Sequence, residues 1–172
     1  EPFRARGGRG RARGRARARG ERMGLIWLDA HGDMNSAESS PSGNIHGMPL
    51  SCLLGAGAEA LTTIGARTPT MDAEDVVLFG VRAIDRAEAA LIRAAGIKTM
   101  TMRDLDSDGM QRVMAESLSH LAHCSRLHIS FDVDFLDPGI APGVGTRVRG
   151  GPNYREAHLA MELLADTGRV TS

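Results

Sequence analysis

The sequence predicts an α/β domain, a parallel β-sheet covered by helices on both faces. Three observations point to it. Short strand-like runs recur at 24–28, 75–79, 97–100 and 126–131, each read as too apolar for a strand with one face in water. Segments of helical spacing lie between them, the alternation expected of parallel sheets. Two aspartate clusters directly follow the runs at 24–28 and 126–131, and ligands of such sheets bind beyond the carboxyl ends of the strands.

The elements follow in order. Gly24-Leu-Ile-Trp-Leu28 reads as a buried strand, and a Ser/Gly/Pro-rich loop runs from it to Gly47. The apolar segment Met48–Leu54 suits a short helix. Asp75-Val-Val-Leu-Phe79 is the second strand. Asp85-Arg-Ala-Glu88 has the form of a capping box, with Leu91, Ile92 and Ala95 at helical spacing until Gly96 stops the helix. Ile97–Met100 is the third strand, and one helix is expected from Arg103 to Leu121, with Val113, Met114, Leu118 and Leu121 on one face. Arg126–Phe131 is the fourth strand. Asn153-Tyr-Arg-Glu156 caps a last helix whose Ala157, Ala160, Met161 and Leu164 share a stripe, and Gly168 ends it.

The length of 172 residues suits one domain with a core. No apolar run reaches the length of a membrane span and no apolar segment of a signal peptide follows the basic start, so neither a membrane nor export is expected. Cys52 and Cys124 read as reduced thiols in a reducing compartment, the cytoplasm. The formal charge of zero hides an asymmetry: residues 1–22 hold nine of the twenty-one basic residues against two acids. This Arg/Gly/Ala tract has neither helical nor strand periodicity and predicts a disordered tail. An RNA-binding arm is the weaker reading, since only Phe3 interrupts the tract as an aromatic. Non-native coding sequence is a third. The domain proper is expected over 23–172.

The chemistry lies in the clusters. In Asp29-Ala-His-Gly-Asp33 the ionisable residues alternate, and an extended backbone would turn Asp29, His31 and Asp33 to one side. Ser130-Phe-Asp-Val-Asp134 repeats the pattern with Asp132 and Asp134. If the two strand ends are neighbours, four carboxylates and an imidazole share one pocket. Uncompensated, such charges repel strongly in a low dielectric. Two divalent cations supply the compensation. Oxygen donors with one imidazole suit Mn²⁺, with Zn²⁺, Fe²⁺ and Co²⁺ as alternatives. Between the clusters, the Gly-bracketed loop Ser42-Gly-Asn-Ile-His-Gly47 leaves His46 placed for general acid/base work. His120, His123, His128 and His158 show no ligand spacing.

These residues resemble the ureohydrolase family, and within it the arginases. The Asp29-Ala-His-Gly-Asp33 and Ser130-Phe-Asp-Val-Asp134 pair is similar to the family's two metal motifs. Asn35 with Ser42-Gly-Asn-Ile-His-Gly47, Gly145-Thr146 and Gly150-Gly-Pro-Asn-Tyr-Arg-Glu156 resemble arginases in particular. The resemblance implies a three-layer α/β fold and a site with two Mn²⁺ ions. Asp29 and Asp132 would bridge the ions, Asp33 would bind one, and His31 and Asp134 the other. It implies hydrolysis of L-arginine to L-ornithine and urea, with Asp33 orienting the nucleophile and His46 relaying a proton to the leaving amine. Asn35, Ser42 and Asn44 would hold the substrate's α-carboxylate, Asp85 its α-amino group, and Thr146 would shape the pocket. A homo-oligomer, trimer or hexamer, is implied by family analogy alone.

Two departures qualify this expectation. Arginases carry an upstream Gly-Gly-Asp-His segment whose histidine ligates the first ion, whereas residues 1–22 hold no histidine. The family's guanidinium-gripping Glu, in a Glu-Val-Asn-Pro strand, is not reached before Ser172. The chain, which starts at Glu1 rather than Met, is therefore expected to be an incomplete member that hydrolyses arginine weakly or not at all. An agmatinase-like hydrolase and a non-catalytic metal- or RNA-binding remnant are the alternatives.

Overall fold

The computed structural model describes residues 22–65 and 68–172. The expected tail lies outside the described residues, except for Arg22.

Among the described residues, four strands form one parallel sheet: β1 (Met23–Leu28), β2 (Val76–Val81), β3 (Lys98–Thr101) and β4 (Arg126–Phe131), in the order β3-β2-β1-β4. The helices are α1 (Pro49–Leu53), α2 (Glu59–Thr62), α3 (Arg86–Ala95), α4 (Met102–Asp108), α5 (Met110–His120) and α6 (Tyr154–Asp166). Both faces of the sheet are covered, as predicted. Ile26, Leu28, Val77 and Phe79 pack on one side with Val113, Met114, Ala160 and Leu164 of α5 and α6. Their strand neighbours Leu25, Trp27, Val76 and Leu78 pack on the other with Leu50 and Ile92 of α1 and α3. Alternate residues of a strand point to opposite faces, so strands apolar at every position must be buried twice. All six residues of β1 and of β2 are buried.

Capping fixes the helix starts. Asn153 and Glu156 close a complete capping box at α6, and Thr101 with Asp104 forms another at α4. At α3 only half of the expected box exists. Asp85 accepts the amide of Glu88 at 2.9 Å, but the Glu88 carboxylate turns away to accept the amide of Met34 at 2.9 Å. The single helix expected over 103–121 is two, broken at Gly109, whose φ of 79° and ψ of 156° lie outside the helical range. The short helix α2 carries no sequence periodicity long enough to announce it.

The register sets the site. Leu28 of β1 lies beside Phe79 of β2 and Phe131 of β4, so β1 and β4 leave the sheet at the same level while β2 runs on to Val81. Pairing runs one residue further: the amide of Asp29 donates to the carbonyl of Phe79 at 3.2 Å, and that of Asp132 to the carbonyl of Leu28 at 2.9 Å. The two aspartate clusters are thereby adjacent. On the outer side of β4, residues 169–172 run parallel to it, with the amide of Leu127 donating to the carbonyl of Arg169 and the amide of Ile129 to that of Ser172, both at 2.9 Å.

Candidate functional site

Asp29 is the first residue beyond β1 and is 2% exposed. Its Oδ2 accepts the Trp27 indole N–H at 3.0 Å and its Oδ1 the amide of His31 at 2.7 Å. The second hydrogen bond bends the chain, so Asp29 and His31 converge through a turn and not through an extended segment. His31 Nδ1 stands 3.2 Å from Asp134 Oδ2 and 3.4 Å from Asp29 Oδ1. Asp134, 3% exposed, sits in a 3-10 turn over Val133–Phe135. Its Oδ1 accepts the amide of Ala30 at 3.2 Å, and its Oδ2 the Thr146 hydroxyl at 2.7 Å. Asp132 caps that turn by accepting the Asp134 amide at 2.9 Å. Thus the second cluster too departs from the extended backbone expected of it.

Asp33 reaches the cluster in a third way, in the left-handed region at φ 53°, which a residue other than glycine seldom adopts. Its carbonyl receives the amides of Leu50 and Ser51 at 3.0 and 3.3 Å, so α1 anchors the bend.

The electrostatics record the crowding. Burial pushes Asp33 up to about 8, with the charges of Asp29, Asp132 and Glu88 adding to the shift. Asp29 is raised for the same reason, burial first and then the charges of Asp134 and Asp132, against the opposing bonds from His31. Bonds to Asp134 and Asp29 lift His31 to about 10. Burial would raise Asp134, but hydrogen bonds from His31 and Thr146 outweigh it and hold this carboxyl well below the usual range. Without added cations, one imidazolium serves several carboxylates.

One carboxylate oxygen each from Asp29 and Asp134 and one imidazole nitrogen of His31 lie within 4.8 Å of one another. Hard oxygens with one imidazole and surplus negative charge fit a divalent cation of the Mn²⁺ type. A second such group, Asp75, His123 and Cys124, lies at the opposite end of the strands, just before β2 and β4 begin. There Arg22 Nε already bonds Asp75 Oδ1 at 2.7 Å, so a guanidinium supplies the countercharge.

Beside the cluster, Asn35 donates through Nδ2 to Asp85 Oδ2 at 2.9 Å and accepts the Ser39 hydroxyl at 2.8 Å. Asn35 and Asp85, fifty residues apart, are thus in contact. Asp85 is held below the ordinary carboxylate range by the Glu88 amide and by Asn35. Ser42, Asn44 and His46 occupy an exposed segment that ends in a 3-10 turn over Ile45–Gly47. Ser42 Oγ accepts the Asn44 amide at 3.2 Å, and the Gly47 carbonyl accepts the Asn35 amide at 3.1 Å. Among the described residues no hydrogen bond joins Ser42, Asn44 or His46 to the aspartates.

Glu88 and Arg82 take part in this architecture without having been singled out from sequence. Glu88 was visible as the end of a capping box, but nothing in that motif signals its bond to Met34. Arg82 follows an apolar strand, and its partners are main-chain carbonyls, which leave no trace in sequence.

The sequence profile of the arginase family matches residues 9–172. The chain belongs to the arginase family. It is 56% identical over 153 residues to an arginase of Bacillus caldovelox, covering 88% of this chain and 51% of that one. The crystal structure of an arginase from Bacillus subtilis superposes with a TM-score of 0.85 at 50% identity, over 88% of this chain and 53% of that one. An arginase of Entamoeba histolytica in complex with L-ornithine superposes with a TM-score of 0.82 at 35% identity, over 87% and 50%. The chain spans about half the length of the curated arginases it matches. Among the described residues, no helix is long and apolar enough to cross a membrane.

Proposed function

We propose that residues 23–172 carry the cation-binding half of an arginase-type site, which converts L-arginine and water to L-ornithine and urea with two Mn²⁺ ions. The observation that carries this reading is the meeting of Asp29, His31 and Asp134 beside Asp132 and Asp33. Four acidic groups gathered at the carboxyl end of a parallel sheet cost more than the fold recovers unless cations neutralise them. The L-ornithine in the Entamoeba histolytica arginase structure agrees with the product assigned.

Asp29, His31, Asp33, Asp132 and Asp134 would hold the ions. When bound, Mn²⁺ compensates the carboxylates and makes water a nucleophile at neutral pH. Asp33 orients that water toward the guanidinium carbon by accepting one of its protons in a hydrogen bond. The water oxygen bonds to that carbon, the bond from the carbon to the chain nitrogen breaks, and His46 relays a proton given up by the water to the nitrogen, which leaves as the amine of ornithine while the carbon leaves as urea. Asn35, Ser42 and Asn44 bind the α-carboxylate by donating hydrogen bonds. Asp85, kept anionic by the Glu88 amide and Asn35, pairs with the α-ammonium group, and Thr146 holds Asp134 in place.

Turnover by this chain is expected to be weak, because no histidine in residues 1–22 is available to the first ion. The test is urea release with Mn²⁺ from L-arginine and from agmatine, which lacks the α-carboxylate. A slow reaction confined to L-arginine supports the assignment, whereas preference for agmatine contradicts the roles of Asn35, Ser42 and Asn44.

A further inference from the structure

Arg82 sits two residues past the bulge in β2 and points into the turn that carries Asp134. Its Nη2 donates to the carbonyls of Asp134, Val148 and Leu136 at 2.7, 2.9 and 3.3 Å. Its Nη1 donates to those of Phe135 and Gly80 at 3.0 and 3.3 Å, and its Nε to that of Arg149 at 3.3 Å. Six carbonyls therefore share the five N–H groups of one guanidinium. Three of them, at 134, 135 and 136, are consecutive, so the three peptide planes that follow the Asp134 Cα are gripped together. The carbonyls at 148 and 149 anchor the segment that begins with Thr146, whose hydroxyl holds Asp134 Oδ2 at 2.7 Å.

The backbone of Arg82 is tied elsewhere. The amides of Arg82 and Ala83 both donate to the carbonyl of Ala30 at 2.9 Å, the residue between Asp29 and His31. Gly151 leaves the space this requires, since a Cβ there would come within 2.6 Å of Arg82 Nη2 and 2.7 Å of the Leu136 carbonyl carbon. Arg82 is half-buried, and setting a guanidinium among neutral carbonyls costs desolvation that an apolar residue would avoid. Burial does lower its proton affinity, against the charges of Asp134, Asp137 and Asp29.

We propose that Arg82 is a positioning residue that sets the two halves of the cation site relative to each other, its main chain holding Ala30 and its guanidinium holding the carbonyls around Asp134. The inference rests on the Mn²⁺ reading for its consequence, but the clamp itself does not require the metal.

Two measurements on the full chain test it: Mn²⁺ affinity by titration calorimetry, and amide hydrogen exchange over 133–137 and 146–150 in metal-free protein. In Arg82→Gln, Mn²⁺ affinity is expected to fall about 10–100-fold, the usual cost of losing an outer support of a metal site. Exchange in the two segments is expected to accelerate while β1, β2 and β3 keep their protection. Arg82→Lys should recover only part of both, because an ammonium cannot present five donors in one plane. Gly151→Ala, which crowds the guanidinium, should shift both in the direction of Arg82→Gln. Unchanged affinity together with unchanged exchange in Arg82→Gln overturns the proposal. Should that variant fail to fold, the same two results in Arg82→Lys decide it. If the wild-type chain binds no Mn²⁺, the metal reading fails, and the exchange data alone still judge the clamp.

Discussion

The amide of Asp132 donates to the carbonyl of Leu28 at 2.9 Å, one residue beyond the last strand pair. This main-chain bond extends the β1–β4 pairing that brings together two acidic motifs separated by about a hundred residues. Because the backbone makes it, Asp132→Asn leaves it intact, and an asparagine oxygen can still cap the Asp134 amide. Only the charge is removed. The metal-free variant should therefore melt at the wild-type temperature or above it. The stabilisation that Mn²⁺ gives the wild type, ~2.7 kcal/mol at a hundredfold excess over the dissociation constant, should disappear. Thermal unfolding with and without Mn²⁺ measures both.

The pH dependence follows from His31, lifted to about 10, and Asp33, lifted to about 8. Both bind protons more tightly folded than unfolded, so both stabilise the metal-free chain at low pH and lose that contribution as pH rises through those values. Asp134, held low, acts in the opposite sense and loses its contribution only in acid. Between about pH 6 and about pH 9 the denaturation midpoint of metal-free protein should fall. Over the same range Mn²⁺ affinity should rise, because both groups must release protons to bind it. An affinity independent of pH would contradict the assignment of His31 and Asp33 as ligands.

Thr146 bonds a carboxylate oxygen of Asp134 at 2.7 Å. Thr146→Val keeps the shape and deletes the donor, at a cost of ~1.5 kcal/mol for a bond to a charged group, or about tenfold in Mn²⁺ affinity. Calorimetric titration reads this directly.

Asp85 both caps α3 and meets Asn35. Substitution separates the two roles. Asp85→Asn remains a good cap, so stability should hold while KM for L-arginine rises. Asp85→Ala should raise KM and also lose ~1 kcal/mol of stability. Steady-state urea release and denaturant titration distinguish them.

Phe135 is fully buried, with its ring centroid 6.2 Å from that of Phe79 and 5.7 Å from that of Phe131. It is also the last residue of the turn that bears Asp134. Phe135→Ala should cost ~3–5 kcal/mol, measured by chemical denaturation, and should weaken Mn²⁺ binding further than Thr146→Val does.

Much of the fold was legible in the sequence. β4 occupies the predicted residues 126–131 and α6 follows the predicted Asn153 cap, because apolar runs and capping residues are local signals. The break at Gly109 was hidden because Leu105, Val113, Met114 and Leu121 continue one buried stripe across it. The strand order and the pairing of residues 169–172 with β4 depend on contacts between distant segments, which periodicity does not encode. At the candidate site, the alternating Asp29, His31 and Asp33 signalled a shared destination, but the bend at Asp29 and the left-handed Asp33 are not the extended backbone that alternation suggests. Arg82 could not be read at all, since every one of its acceptors is a main-chain carbonyl.

The most direct test of the cation site is titration of Mn²⁺ into the full metal-free chain, with the stoichiometry read by calorimetry and the coupling between ions by electron paramagnetic resonance. Saturable uptake of two interacting ions, the first-bound tighter than the second, is the predicted result. No saturable uptake, or uptake unchanged in an Asp29→Asn Asp132→Asn double variant, would contradict it.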